Sequence, residues 1–272
     1  MKNILIFNDI SGLGNCSMVA NLAVFNKLGH YCMPVVTSMY SCQTGFDNYV
    51  SRQNQCVLDY AERILANRQT DAVYVGFCDK TDVVDSIMQF LSFKSGTKRF
   101  VLVDPILGDN GKLYPVFDDD YVASVKRLIP LADVITPNLT EACLLCNVDY
   151  FQLHSLCSGN ILQACKDAFA DILSVTWAKS AVITGISLEN EICNLVFDGA
   201  GASFVRNKRV NVNYSGTGDL FSTVLLGKLL NGESLLSATQ IAADFVAAAA
   251  EATECSDRRF GLEFGRVLDK LN

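Results

Sequence analysis

Asn213-Tyr-Ser-Gly216-Thr-Gly-Asp219-Leu-Phe221 sets two glycines around a threonine and places an acid at the start of an apolar run that predicts a helix. Small residues allow backbone amides to approach an anion, and the N-terminus of a helix favours negative charge. The turn therefore predicts a phosphoryl-binding site, with Asp219 placed to take the proton of an attacking hydroxyl. A capping role would explain the acid but not the Gly-Thr-Gly that precedes it.

The chain before this turn alternates short apolar runs with longer amphipathic runs. The short runs predict strands at residues 4–7, 33–37, 72–75, 100–103, 134–135 and 181–183. Strands that are apolar throughout are typical of a parallel sheet covered by helices on both faces. We therefore expect one α/β domain over residues 1–272, a three-layer sandwich with a central, mostly parallel sheet.

The pattern changes after residue 184. Residues 192–197, 202–204 and 210–214 are short apolar runs separated by turn residues, which predicts an antiparallel edge of the sheet. Two helices are predicted to close the chain, and a helix over residues 161–173 is predicted before the edge. Residues 35–49 are rich in small and polar side chains and predict a flap over a site.

The composition narrows the classes of function. The 272 residues carry 22 Lys+Arg against 29 Asp+Glu, for a net charge of −7, and have no basic cluster, which argues against a nucleic-acid-binding protein. No stretch approaches the ~20 apolar residues of a membrane span. The 11 cysteines are odd in number and irregularly spaced. We therefore expect buried thiols in a reducing, cytoplasmic compartment rather than disulfides.

Polar residues follow the predicted strands. Ligands of open α/β sheets bind beyond the carboxyl ends of the strands, so these side chains are expected to converge. Asp104 and Asp109 lie in one strand-end loop, and carboxylates beside a phosphate normally need Mg²⁺ between them. Asn138 and Glu141 have the spacing of a helix capping box, and a role near the metal is the open alternative.

A second glycine-rich turn, Ser11-Gly-Leu-Gly-Asn-Cys-Ser17, follows the first predicted strand. It nearly matches a dinucleotide-binding fingerprint, but Ser17 replaces the third glycine and the expected acid about 20 residues further on is missing. The stretch therefore predicts either a tight turn or a ligand contact.

Several motifs together resemble a known group of kinases. Gly216-Thr-Gly-Asp219, Asp104-Pro-Ile-Leu-Gly-Asp109 and Thr136-Pro-Asn-Leu-Thr-Glu141 look like motifs of the ribokinase-like superfamily. The opening residues 8–17 and the closing residues 257–264 are more closely similar to the pyridoxal/pyridoxamine kinase family. The resemblance runs almost end to end, with the motifs in the same order.

The resemblance implies ATP-dependent phosphorylation of the 5′-hydroxyl of a vitamin B6 vitamer with Mg²⁺, by an enzyme that is commonly a homodimer. It implies catalysis by Asp219 with an anion hole formed by Gly216, Thr217 and Gly218. The implied substrate contacts are Ser11, Thr44, Phe77 and Asp219, and Asp104, Asp109 and Glu141 would surround the metal and the triphosphate. Tyr114, Asn138, Thr184 and Thr217 would also bind ATP, and residues 198–212 would form one wall of the adenine site.

Two alternatives stay open. The first is a hydroxymethylpyrimidine kinase of the same fold. Such kinases open with a Gly-Ser-Asp and a Gly-Gly-Ala-Gly stretch, whereas residues 8–14 here read Asn-Asp-Ile-Ser-Gly-Leu-Gly, which disfavours them. The second is a protein that binds B6 vitamers without catalysis, which the intact Asp219, Asp104 and Glu141 argue against. Such a protein would bind vitamers without releasing ADP.

Overall fold

The first strand shows how the sequence builds the sheet. Ile4 and Ile6 pack on one face of the strand, Leu5 and Phe7 pack on the other, and all four side chains are fully buried. Because both faces of the strand are covered, the sheet needs a layer of helices on each side. The computed structural model describes residues 1–92, 98–156, 158–209 and 214–272.

The described strands form one large sheet and one small hairpin. The strands of the sheet are β1 (Asn3–Ser11), β2 (Tyr31–Tyr40), β3 (Ser51–Gln53), β4 (Ala72–Val75), β5 (Phe100–Val103), β8 (Val134–Ile135), β9 (Ser180–Ser187), β10 (Glu191–Asp198) and β11 (Gly201–Lys208), and the hairpin pairs β6 (Gly108–Asp109) with β7 (Lys112–Leu113). Their order is β11-β10-β9-β8-β5-β4-β1-β2-β3. The central six strands, from β9 to β2, pair in parallel, and β3, β10 and β11 pair antiparallel.

Helices cover both faces of the sheet. They are α1 (Ser17–Lys27), α2 (Val57–Asn67), α3 (Thr81–Ser92), α4 (Asp119–Leu128), α5 (Leu139–Cys146), α6 (Tyr150–His154), α7 (Ser158–Ala168), α8 (Ile172–Thr176), α9 (Thr217–Leu230) and α10 (Leu235–Ala252). One buried apolar cluster joins one face of the sheet to α1, α9 and α10, and a second joins the other face to α2–α5, α7 and α8. The predicted three-layer α/β sandwich with a mostly parallel sheet is confirmed.

The chain order places a crevice at β1. From β1 the chain first builds β2 and β3 on one side, then crosses to β4 on the other side and continues outward from there. The connections at the carboxyl ends of β1 and β4 therefore diverge, and such a switch point is where ligands of open α/β sheets bind.

Within the described residues, no helix combines the length and apolar character needed to cross a membrane.

Three predictions about elements need correction. β2 continues to Tyr40 because residues 38–40 pair with β3, so the segment predicted as a flap begins only after the strand. The helix predicted over residues 161–173 is two helices, α7 and α8, and α6 was missed. The predicted strand over residues 210–214 falls mostly on residues 210–213, which lie outside the described residues. The antiparallel edge itself is formed by β10 and β11.

Candidate active site

The turn before α9 has the compact backbone that its glycines predict. Gly216 adopts a left-handed φ of +77°, and a Cβ added there would lie 2.6 Å from the Cβ of Cys16. A Cβ added to Gly218 would lie 3.8 Å from Oδ2 of Asp104. The turn is therefore pressed between the start of α1 and the end of β5. This position brings the N-terminus of α9 to the switch point of the sheet.

Asp219 lies in the first turn of α9 and is held through both oxygens of its carboxyl group. Its Oδ1 accepts a hydrogen bond of 3.2 Å from Nδ2 of Asn8, and its Oδ2 accepts one of 3.0 Å from the backbone amide of Ser17. The side chain is buried, and burial raises its pKa above the ordinary value of an aspartate. A buried carboxylate with a raised pKa is a better proton acceptor than an exposed one.

Asn8 was not among the predicted site residues, although it follows the apolar run of β1 directly. Its Nδ2 also donates to Oδ1 of Asn21 at 2.8 Å, and its own Oδ1 accepts the backbone amide of Phe77 at 2.8 Å. Asn21 in turn donates to the hydroxyl of Thr223, one turn after Asp219 in α9. This fully buried polar network ties β1, α1 and α9 together, so it sets the direction of the Asp219 carboxylate.

Asp104 directly follows β5 and faces the same turn. Its Oδ1 accepts a hydrogen bond of 3.1 Å from the hydroxyl of Thr136, and its Oδ2 accepts one of 2.7 Å from the hydroxyl of Ser222 in α9. Burial raises the pKa of Asp104 to about 7, and the charge of Asp219 adds to the effect. The two carboxyl groups therefore repel each other across the start of α9.

Glu141 and Asn138 form the capping box of α5. Oε1 and Oε2 of Glu141 accept the backbone amides of Leu107 at 3.0 Å and Asn138 at 2.7 Å, and the Asn138 side chain caps the amide of Glu141. Burial, followed by the charge of Asp104, raises the pKa of Glu141 well above its usual range. Thr184 of β9 lies next to this cap, because its amide donates to the carbonyl of Pro137 at 2.8 Å. The capping interpretation is confirmed, and it places Asn138, Glu141 and Thr184 together.

The three predicted metal ligands do not converge on one point. Asp109 lies in the β6–β7 hairpin with an exposed side chain, and both of its oxygens accept hydrogen bonds from Asn110. Both oxygens of Glu141 accept backbone amides. Among the described residues, no group of three His, Cys, Asp or Glu side chains forms a metal site. Direct ligation of one ion by Asp104, Asp109 and Glu141 is therefore not assembled here, and their indirect role around Mg²⁺ stays a prediction.

Tyr114 follows the hairpin and lies within the electrostatic reach of all these acids. Burial, then the charges of Glu141, Asp109, Asp104 and Asp219, in that order, raises the pKa of its phenol above the usual value. The structure thus brings Tyr114 close to the predicted triphosphate residues. Its predicted contact with ATP is untested.

The site carries an excess of buried acidic side chains. Asp9, Asp104, Glu141 and Asp219 are each at most 8% exposed. In the part of the chain that the structure describes, their hydrogen-bond partners are hydroxyl, amide and backbone N–H groups, and the salt bridges involve other carboxylates. Oxygen-rich, uncompensated acids are the surroundings that Mg²⁺ prefers. The residues present therefore fit a magnesium ion delivered with a nucleotide.

The predicted acceptor contacts are divided between two environments. Ser11 is buried, its hydroxyl donates to Oδ2 of Asp9 at 3.3 Å, and it lines a cavity of about 370 Å³ next to the glycine-rich turn. Phe77 lies in the loop after β4, with its ring 6.1 Å from that of Tyr40. Thr44 is exposed in the loop after β2. Ser11 and Phe77 therefore flank the crevice, whereas Thr44 lies at the surface.

The loop after β2 is anchored rather than free. The backbone amide of Gln43 donates to the carbonyl of Leu13 at 3.0 Å, and its side-chain Nε2 donates to the carbonyl of Arg259 at 3.1 Å. Phe46 packs edge-on against Phe260 with ring centroids 5.3 Å apart. The loop thus joins the first glycine-rich turn to the C-terminal motif, so both stretches that carried the narrower resemblance meet beside the site.

We expect the free energy of unfolding to rise as the pH falls from about 8.5 to about 6.5. Asp9 and Asp104 have pKa values raised from 3.8 to about 7, so in this interval the folded protein takes up protons that the unfolded chain does not. The stability that these groups provide is lost as the pH rises through that value. Burial lowers the pKa of His30, which opposes the trend at lower pH. Thermal unfolding at the two pH values measures the difference.

The matched variants for this prediction are Asp9→Asn and Asp104→Asn. Each removes one titrating group, so each should flatten the pH dependence while Asp118→Asn, which changes an exposed cap, should not. A melting temperature of the unchanged protein that falls over the same interval would contradict the prediction.

Residues 13–262 match the phosphomethylpyrimidine kinase family, which covers most of the chain. The chain belongs to this family. It is 27% identical over 259 residues to the hydroxymethylpyrimidine/phosphomethylpyrimidine kinase of Haemophilus influenzae, with 92% of this chain and 91% of that protein covered. It is also 27% identical over 242 residues to a bifunctional thiamine-biosynthetic enzyme of Arabidopsis thaliana. That match covers 87% of this chain but only 44% of the length of the plant protein.

Solved structures of similar proteins are named either for phosphomethylpyrimidine kinase or for pyridoxal kinase. A Bacteroides thetaiotaomicron protein named for phosphomethylpyrimidine kinase and solved with pyridoxal has a TM-score of 0.86 and 27% identity, over 99% of this chain and 95% of that one. The pyridoxal kinase of Lactobacillus plantarum has a TM-score of 0.87 and 27% identity, over 100% and 96% of the two chains. The chain is therefore a kinase of this family. The opening residues 8–14 do not by themselves exclude the pyrimidine substrate.

Proposed function

We propose that the protein transfers the γ-phosphoryl group of ATP to the 5′-hydroxyl of a vitamin B6 vitamer. The observation that carries this proposal is the geometry of Asp219. Its carboxylate lies in the first turn of α9, beside the amides of the Gly216–Asp219 turn, and is directed by Asn8 and Ser17. A base next to an anion-binding turn is the arrangement that transfer of a phosphoryl group to an alcohol requires.

In this proposal Asp219 accepts the proton of the acceptor hydroxyl as its oxygen attacks the phosphoryl group. The backbone amides at the N-terminus of α9 donate hydrogen bonds to the phosphoryl oxygens, where negative charge increases during transfer. The hydrogen bonds to Asp219 come from groups that cannot accept a proton back, so they orient the carboxylate without neutralising it. Asp219 therefore acts on the attacking hydroxyl group, and the anion hole of Gly216, Thr217 and Gly218 acts on the phosphoryl group that is transferred.

The nucleotide would lie along the ends of β5, β8 and β9. Asn138, Thr184 and Tyr114 would line the course of the triphosphate. Residues 198–209 would line the adenine, and the rest of that predicted wall, residues 210–212, lies outside the described residues. Mg²⁺, when bound with ATP, supplies positive charge that neutralises the phosphates. Asp104 would face the ion, and Glu141 and Asp109 would act on it indirectly from its surroundings. The excess of buried acidic side chains at the site supports this assignment.

Two observations support a B6 vitamer as the acceptor. The opening and closing motifs resemble pyridoxal/pyridoxamine kinases, and the structures of two similar proteins are named for pyridoxal kinase or were solved with pyridoxal. A second candidate acceptor is hydroxymethylpyrimidine, which the family match and the Haemophilus relative favour. Both acceptors carry a hydroxymethyl group on a nitrogen-containing aromatic ring, so both suit the same base.

The test is turnover with a panel of alcohols. The protein is incubated with Mg-ATP and pyridoxal, pyridoxamine, pyridoxine or hydroxymethylpyrimidine, and ADP release is measured with the phosphorylated product identified by mass. We expect ADP to be released with at least one vitamer. Turnover with the pyrimidine alone would replace the B6 assignment by the second candidate. Vitamer binding without ADP release from any alcohol would indicate a binding protein. The homodimer and the cytoplasmic location stay predictions.

A further inference from the structure

Two hydroxyl side chains lie in an otherwise apolar stretch of α9. Ser222 and Thr223 are at most 1% exposed, and their neighbours Leu220, Phe221 and Val224 are apolar and buried. Serine and threonine lower the stability of a helix interior relative to alanine or leucine, because their hydroxyl groups also bond to the backbone. Two of them in succession, one turn after the phosphoryl-binding turn, therefore indicate a use for the hydroxyl groups.

Each hydroxyl group bonds to the carbonyl oxygen of the residue four positions earlier. Oγ of Ser222 donates to the carbonyl oxygen of Gly218 at 2.5 Å. Oγ1 of Thr223 donates to the carbonyl oxygen of Asp219, also at 2.5 Å. Because a peptide group is planar, the direction of the Gly218 carbonyl fixes the N–H of Asp219, and the direction of the Asp219 carbonyl fixes the N–H of Leu220. The two hydroxyl groups therefore hold both peptide planes that flank Asp219.

The same hydroxyl groups are anchored to two other elements of the fold. Thr223 accepts a hydrogen bond of 2.6 Å from Nδ2 of Asn21 in α1, so its own proton is free for the carbonyl of Asp219. Oγ of Ser222 also lies 2.7 Å from Oδ2 of Asp104, which directly follows β5. A hydroxyl group has one proton, and Ser222 shares it between this carboxyl group and the carbonyl of its own helix. The first turn of α9 is thus tied to α1 and to the end of β5.

We propose that the hydroxyl groups of Ser222 and Thr223 position Asp219 for phosphoryl transfer. This inference rests on the proposed function, in which the amide of Asp219 belongs to the phosphoryl-binding turn and its carboxylate is the base. Donors that are fixed in direction before the reaction stabilise the developing charge more than donors that must reorient. The two hydroxyl groups fix the backbone from which both the amide and the carboxylate extend. They act through Asp219 and do not contact the reacting atoms, so they are positioning residues.

The test separates the hydroxyl group of Thr223 from its volume. Thr223→Val keeps the shape of the side chain and removes the hydroxyl group, whereas Thr223→Ser keeps the hydroxyl group and removes a methyl group. Turnover with Mg-ATP and the preferred alcohol is divided by the number of ADP-binding sites, which calorimetry with ADP counts, so unfolded molecules do not lower the value. We expect Thr223→Val to lose about 10-fold in kcat per site, because a small misplacement of reacting groups costs a factor of this order or more. Thr223→Ser should keep most of the turnover that the valine variant loses.

Ser222→Ala removes the other hydroxyl group. Alanine is the most favourable residue in a helix, so the variant is expected to fold. We expect kcat per ADP-binding site to fall by about 10- to 100-fold, because the amide of Asp219 is no longer held in direction. The KM for ATP should stay within about threefold of the unchanged protein, since the backbone donors of the turn are still present.

The chain offers a matched control for each variant. Ser86 in α3 donates to the carbonyl of Asp82, four residues earlier, at 2.8 Å, so Ser86→Ala removes the same kind of bond away from the site. Thr239 in α10 is fully buried, and its hydroxyl has no hydrogen-bond partner among the described residues. Thr239→Val therefore makes the same replacement as Thr223→Val without breaking such a bond. Both control variants should turn over like the unchanged protein.

A role in packing alone predicts the reverse order at Thr223, with the valine variant active and the serine variant impaired. That order, or a Ser222→Ala variant with unchanged turnover per site, overturns the positioning role while the kinase assignment stands. If Thr223→Val has no ADP-binding sites, Ser222→Ala decides the question. If the unchanged protein binds ADP but phosphorylates none of the alcohols in the panel, the proposed function fails and the inference about the two hydroxyl groups fails with it.

Discussion

Asp219→Ala is expected to lose roughly 10²- to 10⁴-fold in kcat, the range by which a positioned base usually contributes. Its KM for ATP is expected to stay within about threefold of the unchanged protein, because the backbone amides of the α9 turn remain. The physical reason is that Asp219 is the buried carboxylate at the proposed phosphoryl-binding turn, and that Asn8 and the Ser17 amide both direct it. Alanine is the better choice than asparagine here. Both partners of the carboxylate are donors, so an asparagine would set N–H against N–H.

Steady-state kinetics with Mg-ATP and the preferred alcohol measure this effect. Asp118→Ala, which removes a carboxylate that only caps α4, is the control and should leave kcat unchanged. Circular dichroism establishes that both variants fold. An Asp219→Ala variant that keeps more than about a tenth of the original kcat would remove Asp219 as the base.

Gly216→Ala is expected to lose at least about 10²-fold in activity and more stability than an ordinary substitution of a left-handed glycine. The added Cβ would lie 2.6 Å from the Cβ of Cys16 and 2.9 Å from the carbonyl oxygen of Asn15, with no space to move into. The turn would have to shift away from α1. Its amides would then no longer point to the position of the phosphoryl group, so transition-state stabilisation would be lost together with packing.

Gly29→Ala separates the strain of a left-handed backbone from the steric contact with neighbouring atoms. Gly29 has a φ of +81°, close to that of Gly216, but no atom lies within 4 Å of its added Cβ. It should therefore cost only the strain of the left-handed backbone, about 1 kcal/mol, and should keep full activity. Melting temperatures and kcat of both variants are compared with the unchanged protein. Equal behaviour of Gly216→Ala and Gly29→Ala would mean that the close contact with Cys16 has no functional consequence.

Local patterns predicted much of the fold because each buried strand is a short apolar run that can be recognised in the sequence. The apolar run of residues 4–7 has both faces buried, and so short a run is typical of a strand inside a covered sheet. The capping box of Asn138 and Glu141 is likewise readable from spacing alone. Short helices such as α6 and α8 were missed or merged, because a helix of one turn has too few residues to show a period.

The convergence of acids was predictable only in part. The rule for parallel strands allowed one inference: Asp104 and Asp219 both follow elements that end at the same edge of the sheet. The exposure of the Asp109 side chain and its hydrogen bonds to Asn110 could not be inferred, because they depend on how the β6–β7 hairpin turns. The single-domain organisation and the contacts of Thr44 with a ligand remain predictions.

By itself the sequence determined the layered α/β class and predicted a phosphoryl-binding turn with its acid, because these depend on periodicity and on the small size of glycine, which are local properties. Only the tertiary structure decided what holds that acid. Asn8 and Asp219 are 211 residues apart in the chain, and Ser17 and Asp219 are 202 apart. They meet because β1 lies inside the sheet, between β4 and β2, where α1 and α9 pack on the same face. No local pattern encodes such a contact, since it results from the packing of whole elements rather than from the preferences of neighbouring residues.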